Sequence, residues 1–139
     1  MGAVLDVNVL VSALLSLDGS PARLLATWQQ GAFELIVSPL LLEELERALA
    51  YPKLRRLVSP AEASTFVHWL GRSAPVVPDP TGPPPARSVD PGDDYLVALA
   101  ADQRAVLVSG DAHLLDLAPA LPILSPAAFR TRVEGRSDT

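Results

Sequence analysis

No cysteine occurs in the 139 residues, which excludes disulfides, thiolate nucleophiles and cysteine-based zinc sites. Only two histidines are present, His68 and His113, too few for a histidine-rich metal centre. Lysine is almost missing as well: Lys53 is the single Lys among eleven basic residues. With the Ala, Pro and Leu bias, this arginine preference fits a GC-rich genome better than a functional requirement. No apolar run is long enough to span a membrane. The apolar N-terminus lacks a basic leader and carries Asp6 and Asn8, so it does not read as a signal peptide. A cytoplasmic protein is expected. The net charge of −5 argues against broad, charge-driven attachment to nucleic acid. It leaves open an enzyme that grips a phosphodiester through bound cations.

Apolar residues make up 49% of the chain, and its length suits one domain with a real core. Val4 to Val11 is an apolar run interrupted only by Asp6 and Asn8. Its Val and Leu content predicts a strand buried on both faces and ending near Ser12. An ionised carboxylate is costly there unless paired, hydrogen-bonded or bound to a metal. The simplest placement for Asp6 is a strand end, where its side chain meets a ligand. Helix capping is the plainer alternative for the same acid.

Further along, Ser20-Pro21 predicts a helix ended by Gly31, with Ser20 as N-cap. Phe33 to Val37 predicts a second strand, and Ser38-Pro39 a helix through Ala50. Ser59-Pro60-Ala61-Glu62 fits a capping box, followed by an apolar helical face at Ala63, Phe66, Val67 and Leu70. Pro75 to Pro91 is expected to be loop, with one short extended piece at Pro75–Pro78. Asp93 or Asp94 is expected to cap a helix from Tyr95 to Gln103. A strand at Ala105–Val108, a short helix near Leu114–Leu117, a strand at Ile123–Leu124 and a helix from Pro126 complete the order. The domain is expected to span residues 1–133, with a disordered polar tail over 134–139. Strands alternating with helices predict a mostly parallel sheet covered on both faces, with ligands at the carboxyl ends of strands.

Four places supply acids that can converge there. Asp6 is the first. On the helix after Ser38, the stripe Leu41, Leu42, Leu45, Ala48 and Leu49 leaves Glu43 facing water. Glu44 and Glu46 fall on its two edges, and periodicity does not choose between them. The third place is Asp90-Pro91-Gly92-Asp93-Asp94, where the helix dipole and capping alone favour an acid or two. The fourth is Asp111, directly after the strand that ends at Val108; Asp116 reads as surface. Several carboxylates without Lys or Arg among them repel one another. Mg²⁺ or Mn²⁺ relieves this, since hard cations prefer oxygen ligands. Such ions also lower the pKa of bound water and offset charge on a phosphoryl transition state. Asn8 is placed to orient Asp6 or a water, and Ser109 to donate to a carboxylate or phosphate.

In these pieces the chain resembles the PIN-domain ribonucleases of the bacterial VapC-like toxin group. The matching segments are Leu5-Asp6-Val7-Asn8-Val9-Leu10, Ser38-Pro39-Leu40-Leu41-Leu42-Glu43-Glu44-Leu45, Asp90-Pro91-Gly92-Asp93-Asp94 and Val108-Ser109-Gly110-Asp111-Ala112-His113-Leu114-Leu115. The resemblance implies a three-layer α/β/α sandwich and metal-dependent endonucleolytic cleavage of RNA, leaving 5′-phosphate and 3′-hydroxyl ends. It carries over Asp6, Glu44, Asp94 and Asp111 as the acidic quartet holding one or two Mg²⁺ or Mn²⁺ ions. It thereby favours Glu44 over Glu46 and Asp94 over Asp93. Asn8 and Ser109 are its supporting polar residues. Position 113 is often acidic in that group and is His here. The resemblance also implies a cognate antitoxin and a homodimer. Lys53, Arg55 and Arg56 are placed either to touch RNA backbone or to form a solvated basic turn. Trp28 and Trp69 read as core or dimer contacts. Two rivals stand beside this reading. One is a PIN-like domain that binds RNA or protein without cutting. The other is a phosphatase of the haloacid-dehalogenase type, which wants an Asp where Asn8 stands and a Lys later than Lys53.

Overall fold

The structure, a computed structural model, describes residues 1–87, 90–118 and 120–137. Its centre is a four-stranded sheet in the order β2-β1-β3-β4, built from β1 (Gly2–Leu5), β2 (Glu34–Leu35), β3 (Val106–Val108) and β4 (Ile123–Leu124). All three pairings are parallel. Ala3, Val4 and Leu5 are fully buried, as the central strand of a parallel sheet requires. Val37 adds an isolated parallel bridge to Val76, so the extended piece expected at Pro75–Pro78 touches the sheet's edge.

The helices flank this sheet. They are α1 (Val7–Leu15), α2 (Ser20–Gln29), α3 (Pro39–Leu49), α4 (Pro52–Arg55), α5 (Pro60–Ser73), α6 (Asp94–Asp102), α7 (Ala112–Leu115) and α8 (Pro126–Ser137). α6 packs on β1 and β3, while α1 packs against α2 and α3. α3 and α5 start as the sequence indicates. Ser38 Oγ accepts from the Leu41 amide, and Ser59 and Glu62 complete a reciprocal capping box. Among the described residues no single helix is long and apolar enough to cross a membrane.

The main departure lies at the N-terminus. The expected strand through Val11 stops at Leu5, and Val7 opens a helix. Asp6 is the pivot. Its amide still bonds to the Val108 carbonyl at 2.9 Å, continuing the sheet ladder. Its own carbonyl accepts from the Val9 and Leu10 amides, and its carboxylate caps the Asn8 amide. A short apolar run does not distinguish a buried strand from a buried helix, and here one run contains both.

Other boundaries shift less. Gly19, not Ser20, holds the N-cap position of α2. Gly31, at φ +86°, turns the chain out of that helix, a conformation that suits glycine. β2 is confined to Glu34–Leu35. α6 starts at Asp94 rather than Tyr95, behind a 3₁₀ turn at Pro91–Asp93 that is capped by Asp90. α7 lies at Ala112–Leu115, a little earlier than expected. The polar segment after Val133 continues α8 through Ser137, and residues 138 and 139 lie outside the described residues.

Candidate active site

β1 has β2 on one side and β3 on the other, so the chain crosses in opposite directions from it. Such a switch point opens a crevice at the carboxyl ends of the strands. Asp6 follows β1 directly there, and Ser109-Gly110-Asp111 follows β3.

Asp6 is only 5% exposed, and Ser109 is completely buried. Ser109 Oγ donates to Asp6 Oδ2 at 2.7 Å and accepts from the Asp111 amide at 3.0 Å. One hydroxyl thus fixes the side chain of one acid and the backbone of another. Asp111 caps α7, its Oδ1 accepting from the His113 amide at 2.8 Å. Position 113 therefore serves this corner through its backbone. Burial is the main force pushing the Asp6 carboxyl above its ordinary range; Asp111 adds to it, and the Ser109 and Asn8 hydrogen bonds oppose it.

The helix α3 brings the glutamates. Glu44 has an intermediate exposure, whereas Glu43 and Glu46 are exposed. Glu44 Oε1 pairs with Arg47 Nη1 at 2.9 Å. Its field reaches the Tyr95 hydroxyl on α6, together with those of Asp6, Asp93 and Asp79. Burial first, and then these four acids, push that phenol well above its usual range, so it stays a protonated donor among carboxylates.

The adjacent aspartates divide. Asp94 is nearly buried and meets Arg87 Nη1 at 3.4 Å. Asp93 is half-buried, and its carboxyl is pushed up to about 6, first by burial and then by Asp6, Asp90, Asp111 and Asp94. The electrostatic link to the two strand-end acids is thus visible at Asp93, the residue that the resemblance passes over in favour of Asp94.

Asp79 is the group that the sequence reading missed. It lies in the proline-rich loop, and its Oδ2 accepts from the Leu40 amide at 3.0 Å in the first turn of α3. Its Oδ1 is buried and makes no hydrogen bond among the described residues. Nothing periodic marks a loop aspartate between prolines, so only the fold reveals it.

Among the described residues no three Asp, Glu or His side chains are already gathered at ion-binding distance. The donor set nonetheless suits a hard cation. It is all oxygen; after burial, the Asp111 charge helps to raise the proton affinity of Asp6, and those of Asp6 and Asp111 help to raise that of Asp93. Stability should carry the mark of this repulsion. A carboxyl whose pKa is raised by folding favours the folded state while protonated and loses that advantage as pH rises through the folded value. Metal-free protein should therefore lose thermal stability between about pH 4 and pH 6 through Asp93, with Asp6 acting in the same direction. In Asp93→Asn that slope should flatten in a melting-temperature series; an unchanged slope removes Asp93 from the cluster.

A family model described as PIN domain matches residues 2–113. An uncharacterised protein of Methanocaldococcus jannaschii, MJ1680, is 27% identical over 115 residues, covering 82% of this chain and 73% of that protein. Two solved structures share the fold. VapBC2 from Rickettsia felis, bound to a DNA fragment from its promoter, aligns at a TM-score of 0.66 and 13% identity, covering 90% of this chain and 98% of that one. PAE2754 from Pyrobaculum aerophilum aligns at 0.68 and 19% identity, covering 97% and 96%.

Proposed function

The chain belongs to the PIN domain family, and from that premise we propose that it is a metal-dependent nuclease that hydrolyses RNA phosphodiester bonds. The observation that carries this reading is the acid cluster at the strand-order switch point. Asp6 and Asp111 are tied through one buried hydroxyl, and Asp6, Asp93 and Asp111 repel one another across a shared space. A domain without a cationic ligand gains nothing from keeping these groups together.

In this reading Asp6, Glu44, Asp94 and Asp111 hold Mg²⁺ or Mn²⁺, with Asp93 as a further oxygen donor. Held there, such an ion would lower the pKa of a bound water and offset charge on the phosphate. The protein's own groups do the positioning. Ser109 locks the Asp6 carboxylate, so one oxygen faces the hydroxyl and the other the helix start. α7 holds Asp111 by its cap. Glu44, tethered by Arg47, would serve either as one of those ligands or as the base that positions the attacking water. Arg47 also lies 3.7 Å from Glu43, so its charge is shared.

The likeness to the VapBC2 structure supports a place in a toxin–antitoxin pair. Under this reading the chain is the toxin half, held silent by a cognate antitoxin, dimeric, and acting in the cytoplasm where its RNA is. The test is incubation of the purified protein with structured and single-stranded RNAs in Mg²⁺, in Mn²⁺ and in EDTA. Cutting that depends on the ions and leaves 5′-phosphate ends is expected. Cutting that persists in EDTA overturns the metal role, and binding without cutting overturns the enzyme.

A further inference from the structure

A cavity opens between α1 and the loop after β3, at the border of the acid cluster. It is about 320 Å³ in volume and is lined by Asn8, Ser12, Pro21, Gly110, Asp111 and Pro126, with Val9 behind them. Asn8 and Ser12 are four residues apart on α1, so they share one helix face, and both side chains are exposed. Pro21 and Pro126 come from the first turns of α2 and α8 and present two apolar ring faces. Asp111 belongs to the cavity lining and to the acid cluster alike, so the cavity borders the cluster.

The lining chemistry narrows the occupant. Among the described residues lining the cavity there is no Lys or Arg, and one carboxylate is present. A phosphate group would meet net negative charge here. A flat, neutral group with polar edges fits better. The proline rings offer contact to its faces. The Asn8 amide carries both donors and an acceptor, and the Ser12 hydroxyl is both in one group. The volume lies at the small end of ligand pockets, suitable for one planar ring system rather than an extended ligand. Gly110 leaves this space open: a Cβ built at that position meets nothing within 4 Å.

We propose that this cavity seats one unpaired nucleobase of the RNA, next to the phosphate being cut, and that Asn8 and Ser12 read its edge. The inference rests on the ribonuclease reading above and deepens it by naming where sequence preference arises. Single-stranded RNA is commonly recognised in this manner, by splayed bases whose faces and edges are both contacted. Asn8 takes part through its side-chain amide alone, because its backbone N–H is already committed to Asp6.

Two measurements on the intact protein test it. The first maps cut positions in a randomised RNA pool for wild type and for Ser12→Leu, a change at an exposed helix position that fills the cavity. Wild type should prefer certain bases at one position beside the cut by about tenfold or more, the range of one good edge contact. In Ser12→Leu that preference should fall several-fold. The second follows the NMR signals of the Asn8 side-chain amide and the Gly110 backbone amide during titration with the four nucleosides. Saturable shifts are expected in wild type and their loss in Ser12→Leu. An identical preference profile in both proteins, or nucleoside shifts confined to other surfaces, overturns the proposal. If wild type cuts with a profile that the variant shares, the pocket fails and the nuclease stands. If wild type does not cut, the nuclease reading fails and the nucleoside titration alone decides the pocket.

Discussion

Asp6→Asn should remove cleavage by about 10³-fold or more, equivalent to about 4 kcal/mol of transition-state stabilisation, and leave a folded protein behind. The fold should survive because Asn is as good an N-cap as Asp, and its carbonyl oxygen can still accept from the Asn8 amide. Stability at neutral pH should fall modestly, by about 1 kcal/mol, because the amide nitrogen that takes the place of Oδ2 can no longer accept from the Ser109 hydroxyl, a loss that relief of the buried charge partly offsets. Burial already disfavours the ionised carboxylate at this position, and the amide removes that cost. Activity has no such refuge, since in the proposed mechanism the lost charge is one that helps to hold the cation. Turnover of a labelled RNA, read beside a thermal melt on the same preparation, separates the two. A folded variant that retains activity within tenfold of wild type takes Asp6 out of the chemistry.

Ser109→Ala should damage both properties together. The hydroxyl donates to Asp6 Oδ2 and accepts from the Asp111 amide inside a site with no exposure at Ser109. Alanine leaves a carboxylate oxygen and a peptide N–H without these partners. A cost of about 2–3 kcal/mol is expected from the unmade bonds, measurable by chemical denaturation. Catalysis should fall about 10–100-fold, the usual penalty for losing a group that orients a ligating carboxylate. A third signature distinguishes orientation from mere loosening. The Ser109 hydrogen bond lowers the proton affinity of Asp6, so its removal should move the acid side of the pH–rate profile to higher pH. A variant that loses stability but keeps the wild-type pH profile and turnover reduces Ser109 to a structural role.

The ends of β3 and β4 were legible because these strands are short, apolar and punctuated, and the place of Asp6 at a strand end because a lone acid among Val and Leu has few tolerable positions. The start of α1 was not legible. Both a strand and a helix buried against the sheet call for the same apolar residues, and Asp6 acts as a ladder donor and a cap at once. Periodicity left Glu44 and Glu46 equal. Exposure separates them, since the sides of α3 are covered unequally by partners far away in sequence. The choice between Asp93 and Asp94 is of the same kind: two neighbours on one chain differ because Arg87 reaches one of them, while the strand-end acids repel the other. Asp79 could not be found at all from local pattern, because its meaning lies in a bond to a helix thirty-nine residues earlier.

The bond between Ser109 and Asp6 joins residues 103 positions apart, and this has a consequence for the protein's own synthesis. Asp6 is made 103 residues before the hydroxyl that seats it. With chain growth at about 5–20 residues per second, Asp6 waits for several seconds beside no β3. Parallel pairing over such separations is slow to form. A nascent or truncated chain that ends before Val108 holds Asp6, Glu44, Asp93 and Asp94 but lacks Ser109 and Asp111. The order of the strands thus fixes an order of events: Asp6 and Asp111 come to share one hydroxyl only after β3 has been made and has paired beside β1.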